Sequence, residues 1–395
     1  MTDRKVFWAA IATILVLGWQ IARVQAIYSG DASGLFRTGA HMPVPPNLIP
    51  ITHLDSSPGG YDGQFYRFLA HDPLLRNGTA RYFDSPLLRT RRILVPLLAW
   101  LIAAGQPQLI DRAYVLVILG FIFVGVYWLC GLMLLEGRHA ANGLLFLAIP
   151  ATVVSIDRMT IDVALGALTA GLLWQVARGR ERWLWPTLAA GVLVRETGLL
   201  LVAACALAAL YRREFKKALL WLSAAIPALC WYGYWQVVLR RAAVDTARVI
   251  PRWVLPSFRL GILIRALNPS RYPLPHQSEV IAQGLDSLAL VGMMAIAVMA
   301  VWLLRYTPDL TWKLALGLHV AFLLDMSGPK FWNSPYGYAR PFAPLFVLVL
   351  AASARRGKWA LASAAGFTLL IDLRLSTEIY SQVLGAIHWA LGRPA

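Results

Sequence analysis

Charge and cysteine are what this sequence has least of. Asp, Glu, Lys and Arg make up only 14% of the 395 residues, too few to cover a water-soluble surface. Disorder is excluded too, because a chain that is 58% hydrophobic cannot stay solvated unfolded. Three cysteines occur, Cys130, Cys205 and Cys230, and each lies inside an apolar run, which argues against a disulfide or metal-ligand framework. Acids are scarce relative to bases, 20 against 37, leaving a formal charge of +17. No single helix carries a basic stripe interleaved with aromatics, so the surplus does not read as a nucleic-acid surface. Repeats, Gly/Ser linkers and charge blocks are missing as well, and residues 1–395 read as a single transmembrane domain.

What the sequence has in quantity is apolar runs. They fall at about 6–22, 93–105, 113–135, 141–155, 160–177, 186–210, 218–239, 285–304, 311–326, 339–354 and 359–373. A spanning helix needs roughly 20 mostly apolar residues. The expectation is an all-α polytopic membrane protein with about 9–11 transmembrane or re-entrant helices. Sixteen Trp, fourteen Tyr and fifteen Phe suit aromatic belts at the two interfaces.

Short basic loops stay cytoplasmic. Four clusters qualify: Arg4-Lys5, Arg178 to Arg182, Arg212 to Lys217, and Arg355 to Lys358. For all four to share one side, one of the five runs before Arg178 must fail to cross. The run 141–155, short and broken by Pro150, is the expected half-helix, dipping in from outside. Run 186–210 carries Arg195-Glu196 at its middle and is expected to fold back as a hairpin, because a charge pair at mid-bilayer must face protein or water. Three loops then share the outer face, at about 23–92, 240–284 and 327–340.

The first loop holds five acids and eight arginines. Its densest part runs from His53 and Asp55 through the Pro58-Gly59-Gly60 turn to Tyr61, Asp62, Gln64, Tyr66 and Asp72. A short helix from Asp62, lying along the membrane surface, is expected there. Asp62 at its head is placed to take a proton from an acceptor hydroxyl; capping of that helix is the structural alternative. The loop ends in Arg89, Arg91 and Arg92, whose planar forks suit phosphate oxygens of a lipid head group. Lys330 and Arg340 of the third loop are placed to reach the same anion. Asp157, Arg158 and Asp162 stand where the half-helix meets the next span. They are candidates to support the first-loop site or to hold a divalent cation with His53 or Asp55, although no metal spacing is recognisable. Asp157 reads alternatively as a cap of the next helix, and Arg195-Glu196 as a buried structural pair.

Several short segments resemble the GT-C superfamily of integral membrane glycosyltransferases. They are Tyr61-Asp62-Gly-Gln64-Phe-Tyr66, Arg91-Arg92-Ile-Leu-Val-Pro96, Arg158-Met-Thr-Ile-Asp162, Val194-Arg-Glu-Thr-Gly198 and Tyr338-Ala-Arg340-Pro-Phe-Ala-Pro344. The resemblance implies a GT-C-like bundle whose long first outer loop carries short surface helices. It also implies transfer of a hexosyl or pentosyl group from a polyprenyl-phosphate sugar to a glycan, lipid or protein acceptor. Asp62 becomes the catalytic base with Asp55 in reserve. Arg91, Arg92 and Arg340, with Lys330, Tyr61, Gln64 and Tyr66 around them, become the donor site, supported by Asp157, Arg158 and Asp162. The location expected is a bacterial inner membrane with the site on the periplasmic side. No cofactor is required beyond a possible divalent cation. A lipid or glycolipid transporter or flippase, and a non-catalytic subunit of an envelope-polysaccharide system, are the other classes the residues admit.

Overall fold

The computed structural model describes residues 2–241, 261–268, 276–326 and 329–391. Helices dominate. In chain order they are α1 (Thr2–Ala26), α2 (Gly63–His71), α3 (Pro86–Arg89), α4 (Leu94–Ile102), α5 (Pro107–Leu135), α6 (Pro150–Arg158), α7 (Asp162–Ala177), α8 (Leu184–Val194) and α9 (Leu199–Tyr211). There follow α10 (Phe215–Ser223), α11 (Ile226–Arg241), α12 (Gly261–Leu267), α13 (His276–Leu303), α14 (Leu310–Asp325), α15 (Pro335–Tyr338), α16 (Ala343–Arg356) and α17 (Lys358–Ala390). Two short strands, β1 (Thr38–Gly39) and β2 (Leu54–Asp55), pair in parallel within the first loop.

Among the described residues, α1, α5, α13 and α17 are long and apolar enough to cross a membrane, and the bent pair Ala140–Phe146 with Pro150–Arg158 makes a fifth candidate. The protein is therefore an all-α, membrane-embedded chain. Helices α7 and α16 are buried nearly all round, as befits the centre of a bundle. By contrast, only 28% of the spanning windows of α1 and α17 is buried, against 61% for α5, so α1 and α17 offer broad apolar faces to lipid.

Ion pairs and ring contacts gather the basic clusters at one end of the bundle. Lys217 pairs with Glu181 at 2.9 Å, Arg355 pairs with Glu136 at 3.0 Å, and Lys5 and Arg180 lie 5.2 and 4.8 Å from the same Trp174 ring. Those contacts tie the start of α1, the ends of α5, α7 and α16, and the approach to α8 into one layer. The starts of α7 and α16 and the first loop lie at the other end. Helices α8 and α9 form the expected hairpin: Trp185 donates to Ser223 Oγ at 3.0 Å, so the chain returns to the end from which it entered.

The run that fails to cross is not the expected one. Helix α4 has nine residues and stops at Ala104 and Gly105, both at positive φ, so the start of α5 is still at the loop end, where Asp111 binds Arg67 at 2.8 Å. The segment 140–158 instead runs alongside α1 in two pieces bent by 61°, from His139 beside Trp8 to Asp157 beside Arg23. Pro150 stands at that bend, as the first residue of α6, where its missing N–H costs nothing. Asp157, Arg158 and Asp162 nevertheless reach the expected end.

Candidate functional site

Helix ends, not helix faces, build the site. Asp62 immediately precedes α2, Arg89 ends α3, Arg92 precedes α4, Asp162 begins α7, Arg195 and Glu196 occupy the break between α8 and α9, and Arg340 leads into α16. A close packing of glycine brings the loop in. A Cβ on Gly63 would stand 2.1 Å from the Arg158 carbonyl oxygen, so only glycine lets the start of α2 rest on the end of α6.

Asp62 is clasped by two guanidinium groups. Arg89 Nη2 reaches Oδ1 at 2.7 Å and Nη1 reaches Oδ2 at 2.6 Å, while Arg340 Nη1 reaches Oδ2 at 2.6 Å. Arg89 is held from behind by Asp84, which accepts from its Nε at 2.8 Å and Nη2 at 2.7 Å. Arg340 turns its Nε to Asp162 Oδ2 at 2.6 Å, and Asp162 accepts from Arg195 on its other oxygen. Charges alternate along the row Asp84, Arg89, Asp62, Arg340, Asp162, Arg195. Such alternation makes the burial of the fully enclosed Asp162 tolerable. Asp62 itself is open, its side chain 24% exposed.

Burial alone would push the Asp62 carboxyl up, but Arg340 and Arg89 outweigh it and hold the group well below the usual carboxylate range. Burial pushes the neighbouring Tyr61 phenol up, partly offset by Arg340. Arg89 is held firmly charged by Asp84 and Asp62 against the effect of its own burial.

The other expected residues divide into three groups. Tyr61 and Tyr66 lie in the site. Tyr61 donates to the Tyr336 carbonyl and lies 3.4 Å from Arg340 Nη1, and Tyr66 accepts from Arg92 at 2.9 Å. Arg92 also forks onto Glu196, at 2.6 and 3.1 Å. Arg195 and Glu196 are thus not each other's partners, as expected, but reach apart to Asp162 and Arg92. The extended backbone of Arg195 separates them.

A second group stands beside the site. Arg158 lies 3.8 Å over the Tyr336 ring and 4.4 Å over Tyr61, and pairs with Asp157 and Glu378. Asp157 does not cap α7. It lies in the last turn of α6 and accepts from Arg23, Tyr336, Gln382 and Arg158. Asp55 pairs with Arg37 at 2.7 Å, apart from Asp62. Gln64 faces away from the arginines and clamps the turn, donating to Gly59 O and accepting from Gly39 N. Arg91 lies 5.7 Å from the Tyr232 ring and 6.0 Å from Trp235, with no acid partner among the described residues.

The third group comprises one residue whose side chain is not described and two expectations set against the described residues. The Lys330 side chain lies outside the described residues. Among the described residues no three His, Cys, Asp or Glu side chains stand close enough to hold a metal ion, which leaves the cation expected with His53 or Asp55 without a ligand set. Helix α2 does not lie on the membrane surface either. Gly63 through Ala70 are all buried, and Asp62 makes no capping bond, so both lone-pair faces of its carboxylate belong to arginine.

Several buried donors near this row lack partners. Arg340 Nη2, Arg195 Nε, Thr197 Oγ1 and the Tyr114 hydroxyl are unsatisfied. So are Arg91 Nε, the Tyr232 hydroxyl and Trp235 Nε1 on the far side of Arg92. Buried polar atoms are rarely left unpaired, and donors gathered in this way suit a ligand that brings several oxygens. Comparison with models of protein families, with curated proteins and with solved structures finds no match to any of them.

Proposed function

We propose that the chain is a membrane glycosyltransferase of the GT-C kind, taking a sugar from a polyprenyl-phosphate donor at the loop end of the bundle. The observation that carries this reading is the partly exposed carboxylate of Asp62 held between Arg89 and Arg340, with unsatisfied buried donors beside it. A carboxylate so held is a weak base while both arginines face it. An arriving phosphodiester offers those arginines a competing anion. Arg340, with Nη2 already unengaged, turns toward the phosphate, and Asp62 recovers basicity as the donor settles. Asp62 then accepts the proton of the acceptor hydroxyl as its oxygen bonds to the anomeric carbon. The bond from that carbon to the phosphate oxygen breaks with its electron pair, and the departing lipid phosphate gains a negative charge that the arginines stabilise. Arg91, backed by Tyr232 and Trp235, is the outlying cation that first meets the lipid head group.

In this reading the basic clusters are cytoplasmic, and the site faces the periplasm of a bacterial inner membrane. The short helices α4, α8 and α9, with α7 and α16 at the centre, complete a GT-C-like bundle with the spanning ones. A second reading, a lipid transporter, is favoured by the break between α8 and α9, since unwound helices carrying charge are common in transport paths.

Purified protein in nanodiscs, given a panel of polyprenyl-phosphate sugars and candidate acceptors, tests both. Sugar transfer that falls about 100-fold or more in Asp62→Asn is expected, from the usual worth of a general base. Equal transfer by the variant would remove Asp62 from the reaction. Movement of lipid between leaflets with no transfer from any donor would favour the transporter.

A further inference from the structure

A cavity of mixed lining lies apart from the Asp62 row. It has a volume of about 730 Å³, within the range of small-molecule sites, and its walls come from three separate parts of the chain. Tyr28 follows α1, Arg37, His53 and Asp55 belong to the first loop, and Gln382 and His388 belong to the last turns of α17. Helix α17 has 33 residues, and at about 1.5 Å per residue it outruns the roughly 30 Å hydrocarbon core, so its end stands beside the loop.

The lining is prepared for a ligand in two independent ways. Gln382 is 6% exposed and gives its amide N–H to Asp157 at 2.8 Å, yet its Oε1 is buried without any partner. Arg37 is held in the left-handed region at φ 55°, which a branched or long L side chain adopts at a cost, and this conformation sets its guanidinium against Asp55 at 2.7 Å. Tyr28 and Asp55 more than offset the effect of burial and keep Arg37 charged. Arg37 and Asp55 answer each other's charge, and with two imidazoles and an amide the walls present donors and acceptors in mixture. Leu54 and Leu384 supply apolar patches between them.

Mixed hydrogen-bonding groups around a closed ion pair suit a ligand of many hydroxyls. We infer that this cavity is a saccharide-binding cleft, in which Asp55, Arg37 and Gln382 grip adjacent hydroxyls of a sugar. Gln382 Oε1 takes a hydroxyl proton, and the Asp55 and Arg37 pair offers an acceptor and a donor side by side. The cleft also touches the Asp62 row through one wall: the Arg37 carbonyl accepts from Tyr61 N–H at 2.9 Å, and Asp157 links Gln382 to Tyr336. Binding stands on the cavity alone; that its occupant is the glycan receiving the sugar rests on the transferase reading.

Saturation-transfer NMR on the full protein in nanodiscs, without any lipid donor, tests the cleft. The probes are maltotriose, cellotriose, mannotriose and chitotriose, with inorganic phosphate as the charged comparator. At least one trisaccharide is expected to bind saturably, with a Kd near 1 mM, about the value for a few hydrogen bonds net of ordering costs. Leu384→Trp, which fills the cavity from a side chain making no hydrogen bond, and Asp55→Asn are each expected to weaken that binding at least about tenfold. An unshifted melting temperature in Leu384→Trp shows that the fold is intact, and a variant that melts early is replaced by His388→Trp, which fills the same cavity. Saturable binding of no saccharide, binding of phosphate in preference, or binding undiminished in a folded filled variant each overturns the cleft. Saccharide binding by a protein that transfers no sugar leaves the cleft standing and removes the transferase. Sugar transfer undiminished in the filled variant leaves the transferase standing and removes the cleft's occupant as its acceptor.

Discussion

Asp62 and Asp157 are two carboxylates with nearly the same company and different work. Each is bound by two arginines, Asp62 by Arg89 and Arg340, Asp157 by Arg23 and Arg158. Each stands where a helix of the bundle meets a loop. Asp157, however, is 4% exposed in its side chain and also accepts from Tyr336 and Gln382, so that α1, α6, α15 and α17 meet on one anion. Asp62 is 24% exposed and is held by arginine alone. An acid that joins four elements through four different side chains is a fastening. One that is open, and whose partners can be drawn off by another anion, is available for chemistry.

The largest effect expected from breaking that contrast is on activity. Asp62→Asn should lower kcat for sugar transfer about 10²–10⁴-fold. Asp157→Asn should lower it far less per folded molecule, and steady-state kinetics on protein normalised by its folded fraction gives the comparison. Equal losses in the two variants would erase the distinction.

Stability should show the opposite order. Removing one partner of a buried ion pair leaves the other charge unpaired, at a cost of about 3–5 kcal/mol. Asp157→Asn leaves the fully buried Arg23 guanidinium in that state, whereas Asp62→Asn leaves Arg89 on Asp84 and Arg340 on Asp162. Thermal unfolding in detergent should therefore show a clear fall in Tm for the first variant and a small one for the second. A larger fall for Asp62→Asn would make that residue the fastening.

Much of the fold and part of the site are legible before any coordinates. The basic clusters are enough to put Asp62, Asp162 and Arg340 at one end and Arg180, Lys217 and Arg355 at the other, because each short loop carries its own charge. Which run stops short is legible only in part: Pro150 stands at a bend but opens a helix, and Gly105 followed by Pro107 is the helix-stop signal that marks the end of α4. The partners of the acids are hidden for a different reason. Asp62 and Arg340 are 278 residues apart, and no local periodicity relates them. The last apolar run ends at about residue 373, yet α17 continues to Ala390 and brings Glu378 and Gln382 to Arg158 and Asp157. Glu378 and Gln382, four residues apart and so on one helix face, are the local signal for that continuation.

A pH profile sharpens the comparison further, because the two arginines on Asp62 are there to be competed for. A carboxyl whose folded pKa is depressed contributes stability that is present above its ordinary value near 4 and is lost as pH falls through the lower, folded value. In the free protein Asp62 is depressed in this way, so kcat/KM should show no acid limb from it above about pH 4. In the donor complex the phosphate shares Arg340, the depression is relieved, and the acid limb of kcat should lie at higher pH than that of kcat/KM. Both limbs should vanish in Asp62→Asn. Limbs that coincide would mean that the arginines stay on Asp62 while the donor is bound.

Arg91 carries the smallest expected effect, and the one that isolates capture from chemistry. It is half-buried against Tyr232 and Trp235 and has no acid partner among the described residues, so its removal strands no carboxylate. Arg91→Ala should raise the KM for the lipid-phosphate donor about threefold to tenfold and leave kcat and Tm nearly unchanged, as expected for uniform binding of a screened charge at an interface. Arg91→Lys should restore part of the KM, since a point charge still attracts a phosphate but cannot fork onto two of its oxygens. The KM of the parent should also rise with salt more steeply than that of Arg91→Ala. If the alanine variant instead loses kcat with KM unchanged, Arg91 acts in the transition state, and the donor phosphate lies nearer to it than to Arg340.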